Sequence, residues 1–159
     1  MEVRNKVRSV AYDMDVAKIS VVGIPDKPGI AASIFVPLAK AGISVDTIVQ
    51  NSSVNKIADL TFTVTKDQIN DAMKVAKPIA KKLGATNIVS DTDLGKVSIV
   101  GTGMQNTPGF AAKMFDTLSK DGINIELIST SEIRITCIIK ESKVKEAVRA
   151  LHKAFEVEV

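Results

Sequence analysis

Few residues in this chain are of a type that does chemistry. The one histidine, His152, has no His, Cys or paired carboxylates around it at metal-ligand spacing and reads as a partly exposed helix residue. The one cysteine, Cys137, lies inside the apolar alternation of residues 133–139 with no nearby base, which reads as a core thiol. The segment Gly101-Thr102-Gly103-Met104-Gln105-Asn106 lacks the third glycine of a dinucleotide fingerprint and the Gly-Lys-Ser/Thr ending of a phosphate loop. No acid, base, nucleophile or metal set emerges, so neither catalysis nor a cofactor is expected.

Non-covalent chemistry is better represented. Asp26-Lys27-Pro28-Gly29 is a turn that opens an apolar-periodic stretch. A helix starting at Gly29 would have first N–H groups without intrahelical partners, and a residue with no side chain lets a ligand approach them. Those groups and the positive helix end favour a carboxylate. Asp26 in the same turn suits an ammonium, and Gln50 and Asn51 add amide groups at the end of the next strand. Donors beside an acid suit an α-amino acid zwitterion. The same four residues also make an ordinary turn, and the spacing leaves both readings open.

The elements that must hold this turn occur twice. With an offset of 78, Gly23 falls on Gly101; after two extra residues the offset is 80, and Pro28-Gly29 falls on Pro108-Gly109. From Pro28 to Asn51, ten of 24 positions are identical: Pro28, Gly29, Ala31, Ala32, Phe35, Leu38, Lys40, Gly42, Ile43 and Ile48. A chain of 159 residues then divides into two small units, each needing a partner surface to complete its core.

Each repeat reads as strand, helix, strand, strand, helix. In the first, residues 18–22 form a strand, and Ile30, Ile34, Phe35, Leu38 and Ala41 recur at helical spacing up to Gly42, with a kink expected at Pro37. Strands follow at 43–49 and 58–64. Thr65-x-x-Gln68 has the form of a capping box before a helix carrying Ile69, Met73, Ala76, Ala80 and Leu83, with a bend at Pro78, and residues 86–90 close the unit as a fourth strand. The second repeat gives strands at 96–100, 123–128 and 133–140 and helices at 110–120 and 142–154. It leaves little room for a fourth strand, and residues 7–12 can supply it. The predicted fold class is α+β: two ferredoxin-like βαββαβ units, antiparallel sheets with helices on one face, the first unit (16–92) nested within the second (93–159, completed by 1–15).

Composition agrees with an ordinary globular protein, 45% hydrophobic and 25% charged. The net charge of +3 is spread along the chain and aromatics are 4%, against nucleic-acid binding. One cysteine excludes an internal disulfide and suits a reducing cytosol. No apolar run reaches membrane-spanning length and Met1-Glu2-Val3-Arg4-Asn5-Lys6 leads into no signal sequence, so a cytoplasmic protein without membrane contact is expected.

The pattern VxGIxDKPGIAA, a helix, then AGIxVDxIxQN resembles the first ACT domain of the regulatory region of aspartokinase. VGTGMQNTPGFAA followed by GINIELISTSEIRI resembles the second, and the run from Asn124 through Ser129, Thr130, Ser131 and Glu132 to Arg134 is its most specific part. The resemblance covers nearly the whole chain and implies a non-catalytic sensor. It would bind threonine, lysine or both at ACT–ACT interfaces, form a homodimer through its ACT domains, and inhibit a kinase catalytic subunit or region that phosphorylates aspartate. The implied effector residues are Asp26, Gly29, Ile30, Ala31, Ser44, Val45, Asp46 and Gln50 in the first unit. In the second they are Phe110, Ala111, Asn124, Ile125 and Ser131. The second unit has no acid matching Asp26; its longer turn holds Met104-Gln105-Asn106-Thr107, which implies that two sites would not be equivalent. Kinase sequence is absent from the chain, which suits a separate regulatory subunit or an excised region. Rival readings are an ACT regulatory subunit of the acetolactate synthase type and a tandem RNA-binding module on the same plan, which would need exposed aromatics on its central strands.

Overall fold

The computed structural model describes residues 6–52, 55–104 and 107–157. The chain divides into a first unit, Asp15–Thr92, and a second unit that joins Met1–Met14 to Asp93–Val159. In chain order the elements are β1 (Val7–Pro25), α1 (Ile30–Lys40), β2 (Ile48–Ser52), β3 (Ile57–Val64) and α2 (Ile69–Lys82). They continue with β4 (Asn87–Gly101), α3 (Phe110–Lys120), β5 (Leu127–Thr130), β6 (Arg134–Lys140) and α4 (Val144–Ala154).

The first unit pairs its strands in the order β2-β3-β1-β4, the second in the order β1-β4-β6-β5. β2–β3, β3–β1, β4–β6 and β6–β5 are all antiparallel. The nesting follows from the two long strands, each of which serves both units. The 19-residue β1 absorbs both the predicted strand at 18–22 and the N-terminal segment 7–12. β4 likewise runs through the predicted strands at 86–90 and 96–100. Asp13, Asp15, Asp91 and Asp93 look like breaks in the apolar pattern, yet each has a polar partner within the fold. Asp15, for instance, accepts a 2.8 Å bond from the Lys66 N–H. Within the second unit the start of β1 lies along β4: the Thr102 N–H donates to the Lys6 carbonyl at 3.3 Å.

One apolar face per strand meets one apolar stripe per helix. On β3, Ala58, Leu60, Phe62 and Val64 are buried, in one cluster with Ala17, Ile19 and Val21 of β1, Ile30, Ile34 and Leu38 of α1, and Ile69, Ala72 and Ala80 of α2. Both helices of the first unit therefore cover the same face of its strands. The second unit repeats the arrangement with Val97, Ile99, Ile135, Cys137 and Ile139 beneath Met114, Leu118, Val144, Ala147 and Leu151. α1 and α2 run unbroken through Pro37 and Pro78. The carbonyls that lose a donor belong to Ser33 and Lys74, both exposed, so water can take the place of the missing N–H.

Three local expectations change. The strand predicted at 43–49 is irregular up to Thr47, and β2 starts only at Ile48. The end of α1 explains it: Ile43 N–H reaches back to the Leu38 carbonyl and Gly42 N–H to that of Ala39, both at 3.0 Å, which pulls Ile43 into the core. The same closure after α3 moves β5 from the predicted 123–128 to Leu127–Thr130. The capping box at Thr65 does not form. Gln68 turns instead to the end of α1, donating to the Gly42 carbonyl and accepting from the Ser44 N–H, both at 3.3 Å.

Gly101 is buried, and a Cβ there would meet the Lys6 carbonyl and come within 3.0 Å of the Val7 Cα. Gly101→Ala should therefore cost about 1–3 kcal/mol by forcing β1 away from β4. Urea denaturation measures this; an unchanged midpoint would mean that the start of β1 does not pack there.

Candidate functional site

The turn after β1 gives the start of α1 one long acceptor only, the Lys27 carbonyl, which the Ile30 N–H reaches at 3.4 Å. Asp26 N–H donates to the Lys56 carbonyl at 2.9 Å, which ends the ladder. The chain then turns through Pro28 to Gly29, the N-cap of α1, at φ +91°. A Cβ at Gly29 would have nothing within 4 Å, so the space over the helix start is open. The first turn of α1 contains no acidic residue and receives no side-chain cap, which leaves its opening amides beyond that of Ile30 available to an outside anion. Ile30 is buried in the core, so only its backbone can serve a ligand; Ala31 is half-buried and Asp26 likewise.

Strand register sorts the amides. Gln50 pairs with Leu60, so its exposed side chain lies on the helix side of the strands, level with Val21. Asn51 pairs with Asp59 on the opposite face, and its Oδ1 accepts the Asp59 N–H at 3.0 Å. The expected role of Asn51 at the turn is therefore replaced by a role within the sheet. Ser44, Val45 and Asp46 follow the C-terminus of α1, an 11-residue helix about 16 Å long. Asp46 N–H is tied to the Thr63 carbonyl at 3.0 Å, and Val45 packs against the core. The first unit thus separates its expected site residues into two groups at opposite ends of one helix.

The second unit makes the same separation. Gly109, φ +103°, begins α3, again without an acidic residue or a side-chain cap in the first turn. Beside it is a pocket of about 660 Å³, walled by Met104, Thr107, Pro108, Gly109, Phe110 and Ala111 and by Thr130, Ser131, Glu132 and Ile135. Phe110, Ala111 and Ser131 meet here. Asn124 and Ile125 do not; they line a separate cavity of about 440 Å³ at the other end of α3, with Phe115, Ser119, Gly122 and Ile123. Sequence reasoning missed Glu132, a carboxylate in the pocket that the longer turn appeared to lack. The signal was present in the run 129–134, where Glu132 follows Ser131. Gln105 and Asn106 of that longer turn lie outside the described residues.

A groove of about 700 Å³ between α3 and α4 is larger but has no helix start and no convergent groups. Its lining mixes cations with acids, including a Lys120–Asp116 pair at 2.9 Å, as a solvated helix face would. Among the described residues no three His, Cys, Asp or Glu side chains gather as metal ligands, and no helix is long and apolar enough to cross a membrane. His152 is half-buried with its Nδ1 unbonded. Cys137 is fully buried, its Sγ 4.0 Å from the Met114 Sδ, and burial pushes its pKa from 9.0 up to about 12.

Comparison with known proteins gives the arrangement a context. A family model described as ACT domain matches residues 19–77 and again 97–155. The chain is 44% identical over 152 residues to an aspartate kinase of Stutzerimonas stutzeri, covering 96% of this chain and 37% of that protein. It spans well under half the length of the curated relatives it matches. Among solved structures it is similar to the ligand-free regulatory subunit of aspartate kinase from Thermus thermophilus (TM-score 0.88, 44% identity, 94% of this chain and 98% of that one). A structure of aspartokinase alpha and beta subunits matches with TM-score 0.88 and 42% identity over 95% and 99% of the two chains.

The Cys137 thiol should resist a thiol-specific reagent at pH 8 in the native protein, because roughly one in ten thousand would be ionised. Rapid labelling without denaturant would contradict its burial. The unfolded chain loses this proton first, so the contribution to stability is complete below about pH 9 and declines as pH rises toward 12.

Proposed function

The chain belongs to the ACT-domain family and corresponds to the regulatory region of aspartate kinases, and from this premise we propose that it senses an end-product amino acid, threonine, lysine or both. The observation that carries the reading is the open start of α1: uncapped amides over Gly29 for a carboxylate, with the half-buried Asp26 in the same turn for an ammonium. In the second unit the uncapped start of α3 offers the same carboxylate site, and Glu132 on the pocket wall supplies the acid.

The ACT units in this reading are residues 16–92 and 93–159, the latter completed by 1–15. Because the two groups of site residues stand at opposite ends of a helix, one amino acid cannot touch both within a unit. An effector would take the helix start (Asp26, Gly29, Ile30, Ala31 and Gln50, or Phe110, Ala111 and Ser131) from one ACT unit. It would take the segment after the helix (Ser44, Val45 and Asp46, or Asn124 and Ile125) from another, in a second copy of the chain.

Association of copies is supported by the edge strands. β2 and β5 each end the strand order of their unit, with backbone groups unpaired along one side and exposed apolar side chains such as Ile48 (53%) and Ile128 (44%). The effector would stabilise one arrangement of ACT units, and inhibition of a cytoplasmic kinase catalytic subunit or region that phosphorylates aspartate would follow by linkage.

Calorimetric titration with threonine, lysine, their mixture and valine tests the proposal. Heat with threonine or lysine and none with valine is expected; binding of valine alone would favour the acetolactate synthase type of regulatory subunit. Asp26→Ala should weaken binding by about 1.5–3 kcal/mol, roughly tenfold or more, as expected for a lost charge-assisted hydrogen bond. Unchanged affinity would remove Asp26 from the site.

A further inference from the structure

Asp59 sits on β3, on the side of the strands away from the helices, and hydrogen-bonds to Gly23 and Asn51, which are not among the residues assigned to the effector. We propose that it is a positioning residue for the effector corner of the first unit: its carboxylate holds a β-bulge that turns Asp26 toward the helix start. The inference rests on the effector reading above.

The register shows the bulge. Val21 pairs with Leu60 and Ile24 with Ala58, so two residues of β1, Val22 and Gly23, stand opposite the single Asp59. Gly23 has φ +74°, and its N–H donates to Asp59 Oδ1 at 2.9 Å. From the other side Thr86 clamps the bulge: its N–H and hydroxyl both donate to the Val22 carbonyl, at 2.8 and 3.1 Å. Asp59 is itself anchored, since its N–H donates to Asn51 Oδ1 on β2.

The extra residue resets the alternation of β1. Before the bulge the core-facing residues are Ala17, Ile19 and Val21; after it the buried residue is Ile24. Asp26, two residues on and still bonded to Lys56, shares the side of Ile24, which is the helix side. Regular pleating from Val21 would put Asp26 on the opposite face, away from the amides of α1.

The second unit supplies the contrast. β4 pairs one-to-one with β6 through Val100↔Arg134, and the Gly101 N–H continues to the Ile133 carbonyl at 2.8 Å. There is no bulge there and no acid opposite Gly101; the chain has two extra residues in its turn instead. The bulge and its acid occur in the same unit as Asp26.

Titration of the intact chain with L-threonine and L-lysine tests the inference, comparing wild type, Asp59→Ala and Asp59→Asn, with thermal melts to confirm folding. The alanine variant should bind about tenfold or more weakly, and the asparagine variant, whose Oδ1 can accept the same N–H, should stay within about threefold of wild type. If Asp59→Ala does not fold, Asp59→Ser, whose hydroxyl stops short of Gly23, replaces it with the same expected loss. Wild-type affinity in the alanine or serine variant overturns the inference, as does an equal loss in the asparagine variant, which would assign the effect to charge. If wild type binds neither amino acid, the effector reading fails and this inference with it.

Discussion

The site depends on an inequality between the two ends of one helix. A helix leaves unsatisfied carbonyls at its C-terminus and unsatisfied N–H groups at its N-terminus, and the fold settles chiefly the first set. At the end of α1 the Leu38 and Ala39 carbonyls accept from Ile43 and Gly42, and Gln68 crosses from the next helix to take Gly42 and Ser44. α3 closes in the same way through Ile123 and Gly122. At the starts of both helices a left-handed glycine stands where Ser, Thr or Asp would normally provide a cap, and no acid follows. Water makes this inexpensive while the corner is exposed. It also means that an incoming carboxylate meets a positive helix end and, at α1, displaces at most the long 3.4 Å bond from the Ile30 N–H to the Lys27 carbonyl.

The two units arrive at this geometry by different routes. The first inserts its extra residue into β1 as a bulge and needs Gly23 for it, since a Cβ there would come within 2.5 Å of Thr86 Oγ1. The second keeps β4 regular and lengthens the turn, and its acid comes from the β5–β6 connection as Glu132. Identity between the repeats is concentrated where the constraint is shared: the Pro-Gly entry, the core positions at 35 and 38, and the Gly-Ile closure. Divergence is concentrated where the acid is delivered. On the proposed reading, acids delivered from different elements fit a pair of non-equivalent sites.

Much of this was legible in the sequence. The helix of residues 110–120 is legible to the residue because its apolar spacing is bounded by Pro-Gly and Gly. The nesting was legible because the second repeat lacked a strand and residues 7–12 had no other role. What escaped depended on partners distant in the chain. The continuity of β1 and β4 is hidden by aspartates in both strands; Asp15, for one, is bonded to Lys66, 51 positions away. The capping box at Thr65 failed because Gln68 had a better partner at Gly42, which local spacing does not show. The bulge at Gly23 is a matter of pairing register, and a single strand carries no record of the strand beside it. Sequence adjacency groups Asn51 with Gln50, but a one-residue step along a strand puts them on opposite faces.

The separation of each unit's site residues into two groups bears on how binding becomes regulation. A ligand shifts an equilibrium only by its difference in affinity between the states. An amino acid held wholly by one rigid corner would bind every arrangement of the units alike and would shift nothing, however tightly it bound. When the corner supplies the zwitterion contacts and another unit supplies the remainder, every contact to the second group exists in one arrangement only. That part of the binding energy is differential by construction, and a few hydrogen bonds there give about 1–3 kcal/mol, the usual size of an allosteric coupling. On the proposed reading, the helix starts therefore set whether an amino acid binds. The irregular segments at Ser44–Asp46 and Asn124–Ile125 set how strongly its binding is felt elsewhere.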